Sequence, residues 1–442
     1  MTRQSHLKKQ IRARMEKTGE RYSTARAHVL GSFDPTTTDA ASKPAPGMHN
    51  SYLPGVRRDT TAATNLLRSI GVRNPHGDTP LSEAMFTGIA GGVGFLYIVF
   101  EYPNMPPLLS VLMRYDTAAD QFAITGLRRL GLGLEVSETT SAAKAQKTLD
   151  AALSEGRPAL CVVDLASLGG ATLPGTMAGM APTVVVVTER NGDDYDVDLG
   201  LGGPFRMTAP ELARARASYK QAKHRMAVAT RPEEVVDLAI VVDEAIAATI
   251  DRYENAPYKG FASNFGFAGM RKWVRLLTDP KDKKGWPTIF PEGERACVAL
   301  RRTYQGLEYE MTPPAGGRGM YAAFLREAAA LTGHAPYASA AEAYDQAASA
   351  WTRVSTFIAE CDVPEVATGC EMLDAYAELL DEQAGLAQAQ KAADRVTEST
   401  RGGTLPKAKA LEIYAALAGH VEAAIEAEEE AVRTLRAARA GR

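Results

Sequence analysis

The chain has 442 residues, of which 23% are charged and 45% hydrophobic, with a net charge of −3. That is enough chain for two or three folded domains, and the charge balance gives no global push toward nucleic acid or a membrane surface. The four cysteines (Cys161, Cys297, Cys361 and Cys370) are too few and too scattered for a disulfide framework or a paired-cysteine metal site, so they read as reduced thiols of a cytoplasmic protein with no metal or cofactor implied.

Residues 1–30 are locally basic, and the N-terminus has no apolar segment that would make it a secretory signal. Leu7, Ile11 and Met15 fall at i, i+4 and i+8, one stripe of a helix. The segment reads as a solvated arm, as a helix packed on the body or a partner subunit, or as a basic face for an anionic partner such as RNA, lipid or an acidic carrier protein. Residues 31–50, GSFDPTTTDAASKPAPGMHN, read as a linker, so 1–45 form an arm and linker.

Residues 46–230 read as mixed α and β. The patterning predicts helices near 60–70, 80–90, 117–131 and 141–155, and strands over 158–165, 182–190 and 194–200. Asn191-Gly192 is a hairpin turn signal between the last two strands. The uncharged run Ala84–Phe100 falls short of a membrane span and contains Gly88, Gly91, Gly92 and Gly94, which suits a buried element behind a glycine-rich loop. Thr208 and Glu211 have the spacing of a capping box opening a helix through Arg216. Residues 231–442 read as all-helical, beginning with a helix that carries Pro232 in its first turn and ending in a long charged helix suited to self-association. The fold class expected is therefore α+β.

The stretches TTAATNLLRSIGV, PLSEAMFTGIAGGVGFLYIVF, LRRLGLGLEVSETTSAAKAQKTLDAALSEGRPALCVVDL and VVVVTERNGDDYDVDLG resemble the butirosin biosynthesis protein H family. NFGFAGMRKWVRLLTD and AGGRGMYAAFLREAAAL match that family's helical second domain. The resemblance implies a papain-like (C39-peptidase-like) domain followed by a helical domain, in bacterial secondary metabolism. It also implies acyl transfer from an acyl-carrier-protein thioester to an amine, by a cysteine at a helix N-terminus activated by a strand histidine. Here the helix start reads Arg57-Arg58 in place of His-Cys, and the histidine position falls on Ala181 or Pro182.

Two cations at a helix N-terminus oppose the helix dipole unless an anion docks there. The anion is either a ligand phosphate or carboxylate, or a carboxylate of the chain such as Glu83, Asp196 or Asp198. On the ligand alternative, Arg57 and Arg58 hold a carrier phosphate or polarise an oxyanion. Thr60 and Thr61 are hydroxyls at the same helix start, either first-turn capping residues or nucleophile candidates. Gly91, Gly92 and Gly94 suit a structural turn or close approach to a ligand. Arg318, matching an arginine of the resembled family's helical domain, is a substrate-binding candidate or else a helix cap or interdomain ion pair. The loop 275–294 suits a lid, a docking face or plain surface. The expected partners are an acyl-carrier protein or other protein, a small amine or anionic ligand, and further copies of the chain. Three functions follow: an acyltransferase without the usual Cys-His pair, a non-catalytic scaffold subunit, or a hydrolase whose nucleophile the sequence does not identify.

Overall fold

The computed structural model describes residues 3–31, 52–53, 55–74, 79–101, 106–116, 118–168, 179, 181–200, 204–231, 236–310, 314–381 and 386–441. The elements begin with α1 (Arg3–Thr18), α2 (Tyr22–Gly31), α3 (Arg58–Ser69), α4 (Glu83–Ile89), β1 (Leu96–Phe100) and β2 (Leu108–Leu112). They continue with α5 (Gln121–Arg129), β3 (Gly133–Ser137), α6 (Ala142–Ser154), β4 (Ala159–Asp164), β5 (Pro182–Asn191), β6 (Asp194–Asp198), β7 (Phe205–Thr208), α7 (Ala209–Ser218) and β8 (Met226–Thr230). The remainder is helical: α8 (Leu238–Glu254), α9 (Gly266–Thr278), α10 (Trp286–Ile289), α11 (Gly293–Glu308), α12 (Arg318–Thr332), α13 (Pro336–Ala359), α14 (Pro364–Asp381), α15 (Leu386–Glu398) and α16 (Lys407–Ala440). The chain is α+β and divides into two compact units, neither continuous in sequence.

The first unit comprises Met1–Ala90, Asp116–Val241 and Ala375–Asp394. Its sheet has the order β3-β8-β4-β5-β6-β7, every neighbouring pair antiparallel. β4 is buried along its whole length and β5 through Val184–Val187, which is why both read as continuous apolar runs rather than alternating ones. Cys161, Val163, Val185 and Val187 form one core with Leu149 and Ala152 of α6 and Leu212 and Ala215 of α7. α3 packs against β5 as well. The β5–β6 turn places Gly192 and Asp193 between the paired residues Asn191 and Asp194, one residue later than the Asn-Gly signal. Gly192 takes φ +66°, which L side chains rarely adopt. The Thr208–Glu211 capping box is formed at α7.

α1 and α2 belong to the same unit. Ile11 is buried with Tyr22 and Ala25, and Met15, Val29 and Ala377 pack around them. Ile11 and Met15 of the basic arm's stripe therefore pack onto their own unit. The proposed linker over residues 31–50 lies, past Gly31, outside the described residues, as does Pro232. Near Pro232 the sequence reading needs correction. Residues 226–230 form strand β8, and the helix that follows begins at Leu238.

The second unit comprises Gly91–Tyr115, Val242–Asp374 and Arg395–Arg442. The hairpin β1–β2 lies here, so this unit is helical apart from one two-stranded ribbon among the described residues. α16 buries Ile413, Tyr414, Leu417, Val421, Ala424, Ile425, Val432 and Leu435, a stripe of helical period laid along α13 and α9. Its apolar side is thus consumed within its own unit. Trp273 and Trp351 stack with rings 3° apart, and Phe95 stacks beside both.

Candidate functional site

The helix start that carries Arg57-Arg58 is built around a carboxylate of the chain. Val56 N–H donates to Glu83 Oε2 at 2.8 Å and Arg57 N–H to Glu83 Oε1 at 2.9 Å. The Thr60 and Thr61 hydroxyls donate to the same Oε1 at 2.7 and 3.0 Å. Glu83 stands in the first turn of α4, which Ser82 caps by accepting from Met85 N–H at 2.9 Å. Gly55 makes the approach possible, because a Cβ there would lie 1.9 Å from Thr61 Oγ1 and 2.6 Å from Glu83 Oε2. An anion at a helix N-terminus is what the dipole and the free N–H groups favour, and the chain supplies its own.

The two arginine side chains do not reach that carboxylate. Arg57, 4% exposed, donates through Nη2 to both oxygens of Asp59 at 2.9 and 3.1 Å, and its guanidinium lies 5.4 Å from the Phe122 ring centre. Asp59 also accepts from Thr60 N–H at 2.9 Å, so it caps the first turn and pairs with Arg57 together. Arg58 is half-buried and donates to the Tyr376 hydroxyl at 3.3 Å. Among the described residues no carboxylate lies within ion-pair distance of Arg58. Thr60 and Thr61 are 0% and 2% exposed, so both hydroxyls are enclosed as well as hydrogen-bonded.

Asp198 is wholly buried at the end of β6 and accepts from Asn65 Nδ2 at 3.0 Å and Gly200 N–H at 2.7 Å. Burial pushes its carboxyl up, while Asn65, the Gly200 amide and Arg68 pull the other way. Asn65 also exchanges two hydrogen bonds with the Leu53 backbone, at 3.1 and 3.2 Å, tying the entering loop to the middle of α3. The sequence reading passed over Asn65, whose helical neighbours Thr61, Arg68 and Ser69 are polar too, so the patterning does not single it out. Asp196 lies on the solvent side of β6, bonded to Asn191 and Arg206.

At the position of the resembled family's histidine, Ala181 N–H donates to the buried Asp164 at 3.1 Å, and Pro182 opens β5 opposite Asp164. Neither side chain transfers a proton. Gly200, at φ +74°, closes over the start of α3, where a Cβ would stand 1.9 Å from the Arg58 carbonyl oxygen.

The remaining candidates belong to the second unit. Gly91 O accepts from Thr249 Oγ1 at 3.2 Å, and a Cβ on Gly92 would lie 2.5 Å from the Tyr321 ring. Gly94 O accepts from Arg318 Nη2 at 2.9 Å. Arg318 is fully buried, as is its partner Glu428 at 2.9 Å, and Met113 O and Gly316 O accept from its Nη1 at 3.0 and 2.7 Å. Tyr253 Oη and Trp351 Nε1 donate to the same Glu428 carboxylate. Gly94 thus presents its carbonyl to a buried ion pair, while Gly91 and Gly92 pack against Thr249 and Tyr321.

Three of the thiols are the reverse of activated. Burial raises Cys161, and raises Cys297 and Cys361 to about 11. His224 stands in the turn before β8 with its pKa lowered by burial and by Arg216, and His49 and His76 lie outside the described residues. Among the described residues no group of three His, Cys, Asp or Glu is placed to hold a metal ion, and no helix is long and apolar enough to cross a membrane.

Two family models match the chain. One, described as butirosin biosynthesis protein H, N-terminal, covers residues 59–198; the other, a domain of unknown function, DUF4872, covers residues 210–392. No curated protein matches.

Proposed function

The chain belongs to the butirosin biosynthesis protein H-like family, and from that premise we propose that it keeps the family's scaffold without its covalent acyl-transfer chemistry, serving as a binding or scaffold subunit of a biosynthetic assembly. The observation that carries this reading is the placement of Glu83, whose carboxylate takes the Val56 and Arg57 amides and the Thr60 and Thr61 hydroxyls. A nucleophile at this helix start needs a lowered pKa and a nearby base. A carboxylate there disfavours any further negative charge. An oxyanion likewise finds those two amides taken. The partner on this reading is an acyl-carrier protein or another protein of the assembly, met by exposed basic residues of α1 such as Lys9 and Lys17.

A second reading rests on Arg58, which is half-buried and bonded to a neutral phenol. Such a guanidinium is open to a carrier phosphate, and proximity alone accelerates transfer between a bound thioester and an amine. Incubating the chain with an acyl-carrier-protein thioester and an amine pool, followed by intact mass spectrometry, separates the two. The scaffold reading expects acyl loss no faster than in buffer and no mass added to the chain. Loss that disappears in Arg58→Ala would instead establish a non-covalent transferase, and an adduct on the chain would reveal a nucleophile elsewhere.

A further inference from the structure

The helical unit contains a buried guanidinium with no ion-pair partner among the described residues. Arg301 of α11 is 5% exposed. Its Nη1 donates to Gln305 Oε1 at 3.3 Å, a long bond to a neutral amide, and its Nε meets no acceptor. The adjacent Arg302 takes both oxygens of Glu310, at 2.5 and 2.9 Å. Among the described residues no carboxylate lies within ion-pair distance of Arg301. Burial and the neighbouring Arg302 push its pKa down to about 10, with Cys370 and Glu310 opposing. It remains a cation at neutral pH, and an unpaired cation held out of water is costly.

A second buried donor lies beside it. Thr400 is 0% exposed and its hydroxyl has no partner. Two close packings locate it. A Cβ on Gly369 would stand 2.7 Å from Arg301 Cδ and 2.8 Å from Ser399 Oγ, so the Arg301 stem and the residue before Thr400 flank the same glycine. A Cβ on Gly403 would stand 2.8 Å from Cys297 Sγ and 3.2 Å from Thr400 O. Cys297 is one turn before Arg301, on the same side of α11. The Arg301 stem and the chain at Thr400 therefore pack along the same side of α11, and the Arg301 Nε–H and the Thr400 hydroxyl are both buried donors lacking acceptors. The loop continues to Arg401, whose side chain is 71% exposed, so this side lies just beneath the surface.

We infer that Arg301 and Thr400 form a binding site for a small oxyanion, a phosphate or a carboxylate, inside the helical unit. The anion supplies the countercharge that Arg301 lacks and accepts from the Arg301 Nε–H and the Thr400 hydroxyl. The site is separate from the helix start at Arg57-Arg58 and does not depend on whether the chain transfers acyl groups.

Thermal unfolding of the full chain at fixed ionic strength, with increasing inorganic phosphate or acetate, tests the site. The wild-type Tm is expected to rise with the logarithm of anion concentration, by about 5 °C once the anion is far above its dissociation constant. Arg301→Met keeps the apolar stem and removes the charge, so its Tm should be flat in both anions and no lower than that of the wild type without them. Thr400→Val keeps the guanidinium, and should need about tenfold more anion for the same rise. A response to phosphate alone assigns a tetrahedral oxyanion, and one to acetate alone assigns a carboxylate. The inference is overturned if the wild type responds to neither, or if Arg301→Met rises in parallel with it.

Discussion

Glu83 and Glu428 are both carboxylates the fold must accommodate, and the two units do so in opposite ways. Glu83 is held by neutral donors, two amides and two hydroxyls, while the Arg57 guanidinium turns to Asp59. Glu428 is held by a cation, Arg318, with the Tyr253 hydroxyl and the Trp351 indole completing its shell. Spread dipoles leave a carboxylate whose surroundings carry no countercharge, so losing one donor weakens the site gradually. A buried ion pair is all or nothing, because removing one member leaves the other charged and dry.

The largest effect tests the second half of that contrast. Arg318→Met is expected to cost about 3–5 kcal/mol in urea unfolding, since Glu428 and the carbonyls of Gly94, Met113 and Gly316 lose their donor together. Adding Glu428→Leu should recover a substantial part of the loss. A cost below about 1 kcal/mol for the single change would mean the pair is not dry, and the contrast would fail. Glu83→Gln comes next, at about 2 kcal/mol, because an amide keeps one acceptor but sets an N–H against the donors around it. Thr60→Val should cost about 1 kcal/mol on its own, which is the graded response expected of dispersed donors.

Asp198 sharpens the contrast through pH. It too is held by neutral donors, and burial raises its carboxyl above the ordinary value. The folded state therefore binds the proton more tightly than the unfolded one, and stability falls as pH rises from the unfolded pKa, about 3.9, toward the folded one. Unfolding of wild type and Asp198→Asn across that range should show the difference moving in the variant's favour as pH increases. A difference independent of pH would mean that the carboxylate is as well solvated by its amides as by water. No larger than the Thr60→Val effect is that of Thr208→Ala. It removes an exposed capping box from α7 and should cost about 1 kcal/mol by the same measurement.

The helices around the site were legible because their periodicity is local. The spans expected for α3, α4 and α6 differ from those observed by no more than three residues. β8 was not, since MAVAT is a short run whose strand character comes from Gly133–Ser137 and Ala159–Cys161, far away in sequence. At the candidate site, the sequence named Glu83 among several carboxylates for the anion position. It did not decide whether a guanidinium would reach it. Arg57 had Asp59 two residues away and Glu83 across a loop, and that choice is made by rotamers and by the Phe122 ring. Gly55 and Gly200 look like ordinary loop glycines until the atoms that crowd their Cα positions are known.

The discontinuity of the two units has a consequence for synthesis. Arg318 emerges from the ribosome 110 residues ahead of Glu428, a gap of roughly 5–20 s at ordinary elongation rates. Throughout that interval the first member of the buried pair has no counterion, so the helical unit cannot close its interior around it. The sheet unit waits in a similar way for Ala375–Asp394. Neither unit is complete as a nascent domain, and the chain is expected to finish folding only as its last helix is released.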